Sequence, residues 1–390
     1  MPQQINFLQN RLRQREAAGL LRQLRTNNDL IDFCSNDYLG MARSQTLREA
    51  IRQAEAIPDN LLNGATGSRL LAGHTALAST VEEQLAHYYQ TESALVFNSG
   101  YDANLGLMAA LPQRGDVLLT DELIHASMID GARLSYAERH RFRHNDLDHL
   151  AQLLSEARER NAPTIFVAVE SVYSMDGDFA PLPELVDLCE QFGAYLLVDE
   201  AHATGVYGPN GEGRVVELGL QARVLARVHT FGKGLGVHGA AVVGPTLLRD
   251  YLVNMARSLV YTTALPPHSL LAIACAHEQV AREGQARVQL QNHIRLFREL
   301  AAQHLPNARF TDSQSPIQCL LISGNDSCRQ VASQAQEAGF DVRAILSPTV
   351  PVGQERIRIC LHSFNSEEEV RELVSATASG QTYNSTTPES

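Results

Sequence analysis

A single lysine, Lys233, is the residue of this sequence whose type points most directly to chemistry. Every other residue in the Lys+Arg total of 32 is arginine. Arginine stays protonated, whereas a lysine amine can lose its proton in a suitable site and then act as a nucleophile or base. Lys233 lies among glycines and short apolar runs, and no other charged residue lies between Arg227 and Arg249. We interpret it as a reactive amine; a phosphate contact and a solvated surface lysine are the alternatives.

Polar residues follow several strand-like runs, at positions where ligands collect. In an open parallel sheet, ligands bind at the carboxyl ends of the strands. Asp199 follows the apolar run 194–198, and His202 lies three residues later. Asp199 is therefore either a satisfied structural aspartate or the partner of a cationic ring nitrogen. Thr230 and Lys233 end a later strand in the same way.

Two further strands are followed by residues that could contact a ligand: the start of a helix after one strand and a histidine after the other. Ser99, Gly100 and Tyr101 end one strand and open a helix, where backbone N–H groups and the helix dipole favour phosphate. His125 follows the next strand and is either a ring-stacking residue or an ordinary core histidine. A lone amine, a strand-end acid, a phosphate site and a flat histidine together predict a pyridoxal phosphate site. There the lysine would bond the cofactor, and the acid would keep the pyridine nitrogen protonated.

The elements that would position these residues alternate between strand and helix. Short runs rich in Val, Leu and Ile predict βαβ units and a mostly parallel sheet covered on both faces. The strands are predicted at 94–97, 116–120, 164–169, 194–198, 228–231 and 240–243, and the helices at about 44–57, 76–90, 101–111, 125–135, 146–159 and 182–192.

The pattern changes after Pro266-Pro267. A long helical stretch, about 268–304, precedes strands near 317–323, 341–345 and 356–361, which predicts a smaller α+β domain. The predicted division is an N-terminal arm and strand (1–45), a large α/β domain (46–265), a C-terminal α+β domain (266–379) and a disordered tail (380–390). Residues 5–25 of the arm are predicted to form an amphipathic helix that packs on the body or on a second subunit rather than on a membrane.

Composition excludes several classes of function. Hydrophobic residues make up 44%, charged residues 19%, and the net charge is −12. This is a soluble globular profile with no basic excess for nucleic acid. We find no apolar signal region and no run of the ~20 apolar residues that a membrane span needs. Six scattered cysteines without a Cys-x-x-Cys pair predict reduced thiols and a cytoplasmic location.

Three motif matches are misleading. The string 234–239 matches the dinucleotide fingerprint, but a strand-like run follows it where that motif needs a helix. The string 199–202 spells a helicase box, but the chain has no Gly-Lys-Ser/Thr loop. His125, His202 and His238 lack metal-ligand spacing, so no metal is predicted.

Seven short segments resemble the α-oxoamine synthases, a family of fold-type I pyridoxal-phosphate enzymes. The resemblance spans about residues 30–365 and rests on Ser35–Gly40, Asn98–Asn104, His125–Ser127, His144–Leu147, Ser174–Asp178, Asp199–His202 and Thr230–Gly234. It implies a large sheet-containing domain, a smaller C-terminal domain and a homodimer with shared active sites.

The resemblance also implies residue roles. Lys233 would bond the cofactor, Asp199 would face its ring nitrogen and His125 would stack on the ring. The remaining cofactor contacts would be Ser99, Gly100, Tyr101, Ser174, His202 and Thr230, with Thr262 and Thr263 reaching a phosphate in the other subunit. The substrate contacts would be Asn36, Arg358, Thr349 and Arg22, with Arg358 gripping the amino-acid carboxylate. The segment after the arm, 26–31, is shorter than in many relatives.

Within the family, segments 230–241 and 261–267 are most similar to the member that condenses L-alanine with a pimeloyl thioester in biotin biosynthesis. The acyl carrier would be CoA or a carrier protein. The alternatives are sister enzymes that use glycine or serine with another acyl-CoA: 2-amino-3-ketobutyrate CoA ligase, 5-aminolevulinate synthase and serine palmitoyltransferase. A non-enzymatic α/β protein that binds a nucleotide or metabolite is the alternative from another class.

Overall fold

The computed structural model describes residues 5–22, 24, 29–57 and 61–381. Its helices are α1 Asn6–Ala17, α2 Gln45–Ala56, α3 Ala76–Tyr88, α4 Gly100–Ala110, α5 Ala126–Leu134, α6 Leu147–Glu159, α7 Leu182–Phe192, α8 Arg214–Glu217, α9 Thr246–Met255, α10 Arg257–Val260, α11 Pro267–Arg282, α12 Gly284–His304, α13 Asn325–Glu337 and α14 Glu367–Gln381. Its strands are β1 Ile31–Asp32, β2 Ser93–Phe97, β3 Val117–Asp121, β4 Glu138–Phe142, β5 Ile165–Glu170, β6 Tyr195–Asp199, β7 Ala226–Thr230, β8 Ala240–Gly244, β9 Arg309–Phe310, β10 Ile317–Leu321, β11 Phe340–Asp341, β12 Arg343–Ile345 and β13 Arg356–Cys360.

A seven-stranded sheet forms the centre of the molecule, in the order β2-β8-β7-β6-β5-β3-β4. Strands β7, β6, β5, β3 and β4 pair in parallel, and β8 runs antiparallel to both of its neighbours. This confirms the predicted mostly parallel sheet. Because parallel neighbours end at the same edge, Glu170 of β5 lies in register with Asp199 of β6.

Hydrophobic side chains cover both faces of this sheet. Leu107 of α4, Met128 of α5 and Leu252 of α9 pack on one face. Leu154 of α6 and Val186 of α7 pack on the other. Helices on both faces bury β3, β5 and β6, which is why these strands are largely continuous apolar runs in the sequence.

Strand β4 was not predicted from the sequence. Its residues, Glu-Arg-His-Arg-Phe, are mostly charged, and only Phe142 is buried. The strand lies at the edge of the sheet, next to β3. Edge strands often carry charged side chains that discourage pairing with another chain, and such side chains hide the apolar pattern of a strand.

The C-terminal region contains a four-stranded antiparallel sheet, in the order β12-β13-β10-β9, which confirms the predicted α+β region. The predicted stretch 268–304 is two helices, α11 and α12, separated at Glu283. Strand β1, from the N-terminal arm, pairs in parallel with β11. The arm is therefore joined to the C-terminal region by backbone hydrogen bonds.

The two ends of the chain differ in extent from the predictions. Helix α1 ends at Ala17 rather than near residue 25, and a left-handed Gly19 (φ 65°) follows it. Its apolar side chains Phe7, Leu8 and Leu12 are exposed in this single chain. Gly380 and Gln381, predicted as part of a disordered tail, belong to α14, and the rest of that tail lies outside the described residues. Among the described helices, none combines the length and apolarity of a membrane-crossing segment.

Candidate active site

The carboxyl ends of β5, β6 and β7 meet the N-termini of α4 and α5 at a cavity of about 320 Å³. The cavity brings together most of the residues singled out in the sequence. Those that line it are Asn36, Ser99, Gly100, Tyr101, His125, Asp199, His202, Thr230 and Lys233. Glu170, Asn104, Ser127 and His238 also line it.

Lys233 lies in the loop that follows β7, with its amine 2.9 Å from Nε2 of His202. Burial lowers the pKa of Lys233, and the nearby Arg358 lowers it further, whereas Asp199 and Glu170 act in the opposite direction. The lysine loop packs closely on the loop after β6. A side chain at Gly234 would place its Cβ 2.5 Å from the carbonyl oxygen of Thr204, so only glycine allows this approach.

His202 is buried between two partners. Its Nδ1 lies 2.7 Å from the hydroxyl of Tyr38, and its Nε2 faces the lysine amine. Burial lowers the pKa of His202 well below its ordinary value, and the positive charges of Lys233 and Arg358 lower it further. We therefore treat His202 as a neutral imidazole at physiological pH.

Asp199, at the end of β6, is buried but retains hydrogen-bonding capacity. Its Oδ2 accepts from Nδ2 of Asn104 at 2.7 Å, and its Oδ1 accepts from the backbone N–H of Ala201 at 2.8 Å. A carboxylate accepts up to about four hydrogen bonds, so it can take a further N–H from a ligand. Asn104 was not singled out from the sequence. Its signal was its position one turn after Gly100, on the same face of α4.

His125 is the N-cap of α5, and its ring is held by Ser127. Its Nδ1 lies 2.8 Å from Oγ of Ser127, which also receives a hydrogen bond from Asn104 at 3.1 Å. Burial lowers the pKa of His125; Asp199 opposes this shift and Lys233 adds to it. Ser127 was overlooked because a serine two residues after an N-cap is common in helices that bind nothing.

Glu170 is a second buried acid in the cavity, only 2% exposed, beside Asp199. Burial raises the pKa of Glu170 well above its ordinary value, and the charge of Asp199 raises it further. The sequence carried a signal for it, since an acid ends the apolar run 165–169 just as Asp199 ends the next strand.

The cavity contains unpaired polar atoms for which pyridoxal phosphate would supply hydrogen-bond partners. Oδ1 of Asn104, Oε1 of Glu170 and Oγ1 of Thr230 are buried and have no protein hydrogen-bond partner. Buried polar groups of folded proteins are rarely left unpaired, so these atoms indicate a polar ligand. At the helix start, a Cβ on Gly100 would lie 2.3 Å from Cγ2 of Thr230. Glycine thus lets the first turn of α4, whose N–H groups lack acceptors within the helix, approach the end of β7.

The other predicted residues at this helix start make contacts within the protein. Ser99 caps α4 by accepting from the backbone N–H of Asp102 at 3.1 Å, and its hydroxyl donates to the same residue's carboxylate at 2.9 Å. The hydroxyl of Tyr101 donates to Asp130. The phosphate contacts predicted for Ser99 and Tyr101 would therefore come from their backbone.

Arg358, on β13 of the C-terminal sheet, reaches the edge of the cavity through Asn36. Its Nη2 donates to Oδ1 of Asn36 at 3.0 Å, and its Nε donates to the carbonyl oxygen of Ser174 at 2.8 Å. A guanidinium has five N–H donors, so it can still grip a carboxylate. The predicted cofactor contact Ser174 thus lies against the predicted substrate contact Arg358.

Six predicted residues do not line this cavity: Ser174 and Arg358, described above, and Thr262, Thr263, Thr349 and Arg22. Thr262 and Thr263 accept from Nδ2 of Asn98, through a hydroxyl at 3.2 Å and a carbonyl at 2.8 Å, next to the start of α4. Their predicted contact with the other subunit's phosphate stays a prediction. Thr349 lies in an exposed turn after β12, and Arg22 is exposed beyond α1. Among the described residues, no group of three or more His, Cys, Asp or Glu side chains could hold a metal ion.

Comparison with known proteins matches most of the chain. The aminotransferase class I and II family profile covers residues 28–376. The 8-amino-7-oxononanoate synthase of Emericella nidulans is 43% identical and covers 95% of this chain and 94% of its own. The enzyme of the same name from Marinobacter nauticus is 40% identical and covers 94% of both chains.

Solved structures match the fold over nearly the whole chain. Serine palmitoyltransferase of Sphingomonas wittichii superposes with a TM-score of 0.88 at 29% identity, over 99% of both chains. A serine palmitoyltransferase from S. paucimobilis, with bound PLP and myriocin, gives 0.87 at 26% identity, over 98% of this chain and 99% of that one. The 8-amino-7-oxononanoate synthase of Francisella tularensis gives 0.78 at 27% identity, over 92% of this chain and 100% of that one.

The profile match and the identities over most of the chain establish the relationship, and the superpositions establish the fold-type I architecture. The chain therefore belongs to the aminotransferase class I and II family and, within it, to the α-oxoamine synthases.

Proposed function

We propose that this chain catalyses the pyridoxal-phosphate-dependent condensation of L-alanine with a pimeloyl thioester. The products are 8-amino-7-oxononanoate, CO2 and a free thiol. The observation that carries the proposal is one cavity lined by Lys233, Asp199 and Asn36, with Arg358 hydrogen-bonded to Asn36 at its edge. The choice of L-alanine and a pimeloyl thioester rests on the names of relatives at about 40% identity over nearly the whole chain.

The residues that would hold the cofactor surround the cavity. Lys233 would bond to the cofactor, Asp199 would face its ring nitrogen and His125 would stack on its ring. The polar substituents of the ring would contact His202, Ser174 and Thr230. The phosphate would lie against Gly100 and the backbone of Ser99 and Tyr101. Pyridoxal phosphate, when bound, supplies the electron sink that stabilises negative charge at the α-carbon of an amino acid. Asp199 sustains this property by holding positive charge at the ring nitrogen.

Lys233 is suited to move the α-proton of the amino acid. Its lowered pKa favours the neutral amine, which is the form that accepts a proton. Neutral His202 holds Nζ at 2.9 Å and so limits the directions in which the amine can point. Arg358 and Asn36 would hold the carboxylate that later leaves as CO2. Before that loss, the deprotonated α-carbon would bond to the acyl carbon of the thioester as the thiol departs, and the resulting β-keto acid would then release the carboxylate as CO2.

Serine with a long-chain acyl-CoA is the second candidate, because serine palmitoyltransferases superpose on this chain with TM-scores of 0.87 and 0.88. A substrate matrix separates the two. Purified protein loaded with pyridoxal phosphate is given L-alanine, glycine or L-serine, each with pimeloyl-, acetyl-, succinyl- or palmitoyl-CoA, and free thiol is measured. We expect release to be fastest with L-alanine and pimeloyl-CoA. Faster release with L-serine and palmitoyl-CoA would overturn the first choice.

Two variants serve as controls for this assay. Lys233→Ala removes the amine and should lower turnover by at least roughly 1000-fold, since both the cofactor bond and the base are lost. Arg249→Ala alters a half-buried arginine on α9 that does not line the cavity and should leave turnover unchanged. We further propose that the enzyme works in the cytoplasm as a homodimer, with Thr262 and Thr263 of each subunit completing its partner's phosphate site. Its six cysteines are all free, as predicted, and such thiols persist in reducing compartments.

A further inference from the structure

Tyr38 stands at the centre of a buried hydrogen-bond chain that joins Lys233 to Arg358. The lysine amine lies 2.9 Å from Nε2 of His202, and Nδ1 of His202 lies 2.7 Å from the Tyr38 hydroxyl. The same hydroxyl lies 3.1 Å from Oδ1 of Asn36, which accepts from Nη2 of Arg358 at 3.0 Å. Tyr38 is 0% exposed and His202 is also buried, so water does not replace either partner in the bond between them.

The direction of every bond in this chain follows from its arginine end. Arg358 can only donate, so the atom of Asn36 that faces it must be the oxygen. That oxygen also faces Tyr38, so the single hydroxyl proton of Tyr38 must point to Asn36. The Tyr38 oxygen then acts as an acceptor toward His202. Nδ1 of His202 consequently carries the proton, and Nε2 carries the lone pair that faces the lysine.

The opposite direction would leave pairs of like groups in contact. If Tyr38 donated to His202, its oxygen and Oδ1 of Asn36 would face each other at 3.1 Å without a hydrogen between them. Turning the Asn36 amide around would instead place its NH2 group against Nη2 of Arg358. Either arrangement leaves polar groups without a hydrogen-bond partner in a largely buried site, which is unfavourable.

We propose that Tyr38 is a positioning residue that holds His202 in the Nδ1–H tautomer and thereby keeps the lone pair of Lys233 free. An Nε2–H tautomer would donate its proton to the neutral amine and occupy the electron pair that must form the bond or take the proton. In the Nδ1–H tautomer, the amine is the donor, so its lone pair stays available. The direction is set by Arg358, the predicted carboxylate contact, so the two ends of the site are linked. This inference rests on the proposed function only for what the free lone pair does.

The tautomer can be measured in the full-length protein without cofactor. Nitrogen-15 NMR distinguishes protonated from unprotonated ring nitrogens, and the His202→Asn variant identifies which signals belong to His202. We expect the wild type to carry its proton on Nδ1. In Tyr38→Phe, which keeps the ring and removes the hydroxyl, we expect the proton to move partly or wholly to Nε2. A wild-type His202 protonated on Nε2 would overturn the proposal, and this result requires only the wild type and the His202→Asn variant used for assignment.

A second experiment measures the availability of the lone pair. Protein without cofactor is mixed with pyridoxal phosphate, and the rate at which the Lys233 amine reacts is followed by absorbance. We expect Tyr38→Phe to react about 2- to 10-fold more slowly, the factor that corresponds to one hydrogen bond of about 0.5–1.5 kcal/mol. An unchanged rate together with an unchanged tautomer in Tyr38→Phe would contradict the proposed role.

Tyr89→Phe is the matched control. Tyr89 is also 0% exposed, and its hydroxyl lies 2.9 Å from Nε2 of a buried histidine, His277, which does not line the cavity. Both variants should lose comparable stability, but only Tyr38→Phe should slow the reaction with pyridoxal phosphate. Equal slowing in both would mean that Tyr38 acts only through stability. Because no amino acid or acyl thioester is used, failure of the substrate matrix and failure of this inference are separate results.

Discussion

At the scale of single residues, the site holds two adjacent acids that share one cavity edge. Glu170 and Asp199 lie side by side at the ends of β5 and β6. Two buried carboxyl groups in such proximity do not readily ionise together, and one keeps its proton. The raised pKa of Glu170 assigns that proton to Glu170. Asp199 accepts hydrogen bonds from two neutral N–H groups and would be the acid that faces the ring nitrogen of the cofactor.

We predict that Glu170→Gln is more stable than the wild type at pH 8 but not at pH 4.5. A buried acid with a raised pKa keeps its proton to a higher pH in the folded chain than in the unfolded chain. Folding stability therefore falls as the pH rises above the unfolded value, and a neutral glutamine removes that loss. We expect a gain of about 1–3 kcal/mol in the free energy of unfolding, measured by urea unfolding without cofactor. Glu184→Gln, at an exposed position of α7, is the control and should show no such gain. A gain that does not change with pH would contradict the assignment of the proton.

At the scale of secondary-structure elements, a histidine ties the sheet to the segment that contacts the C-terminal domain. His144, just after β4, lies 3.0 Å from Asp121 at the end of β3 and 2.7 Å from Asp178. Burial alone would lower the pKa of His144, but the two carboxylates raise it to about 10. Asp178 lies four residues after Ser174, whose carbonyl oxygen accepts a hydrogen bond from Nε of Arg358. A protonated His144 thus supports the placement of Arg358.

We predict that His144 stabilises the fold most at low pH. A histidine whose pKa is raised on folding contributes its full stability below the unfolded value of about 6.5, and this contribution is lost as the pH rises toward 10. His144→Gln should therefore lower the free energy of unfolding by about 3 kcal/mol at pH 6 and by less at pH 9.5. Urea unfolding of both proteins at the two pH values measures the difference. His140→Gln, at a half-buried position of the edge strand β4, is the control. An equal loss of stability at both pH values would contradict an ion pair between protonated His144 and the two carboxylates.

At the scale of the whole molecule, a single chain supplies the cavity described above. The predicted phosphate contacts from a second subunit would be added to it. Thr262 and Thr263 lie beside Asn98 rather than on the cavity of their own chain. Helix α1 leaves Phe7, Leu8 and Leu12 exposed, as expected of a surface that a second subunit covers. The division of the chain near residue 266 and the homodimer remain proposals.

Mixing two inactive variants tests the shared site. In a homodimer with shared sites, Lys233→Ala and the double variant Thr262→Ala, Thr263→Ala repair each other, because each heterodimer has one intact site. Refolding equal amounts together should restore roughly one quarter of the wild-type sites, measured as thiol release. No recovery above the two parents would place both threonines against the cofactor of their own chain. Sedimentation should show the same dimer in all samples.

The fold was largely predictable from the sequence because buried parallel strands are continuous apolar runs. The missed strand of the central sheet, β4, lies at the edge and consists mostly of charged residues, so its sequence does not show the apolar pattern of a buried strand. The two-residue strand β9 was also missed. The site was predictable in part. Asp199, Thr230 and Lys233 could be found because each follows a recognisable strand, and parallel strands end together.

What the sequence determined by itself was the family, the fold class and the reactive amine, because these depend on residue type and on local pattern. Only the tertiary structure decided how residues 38, 202, 233 and 358 meet in one buried chain. Tyr38 has the local pattern of an ordinary core tyrosine, and its partner His202 is more than 160 positions away. The direction of a hydrogen bond depends on which donors and acceptors meet in space, and here it follows from the contact of Arg358 with Asn36. For this reason the amine could be predicted from the sequence, whereas the groups that keep its lone pair free could not.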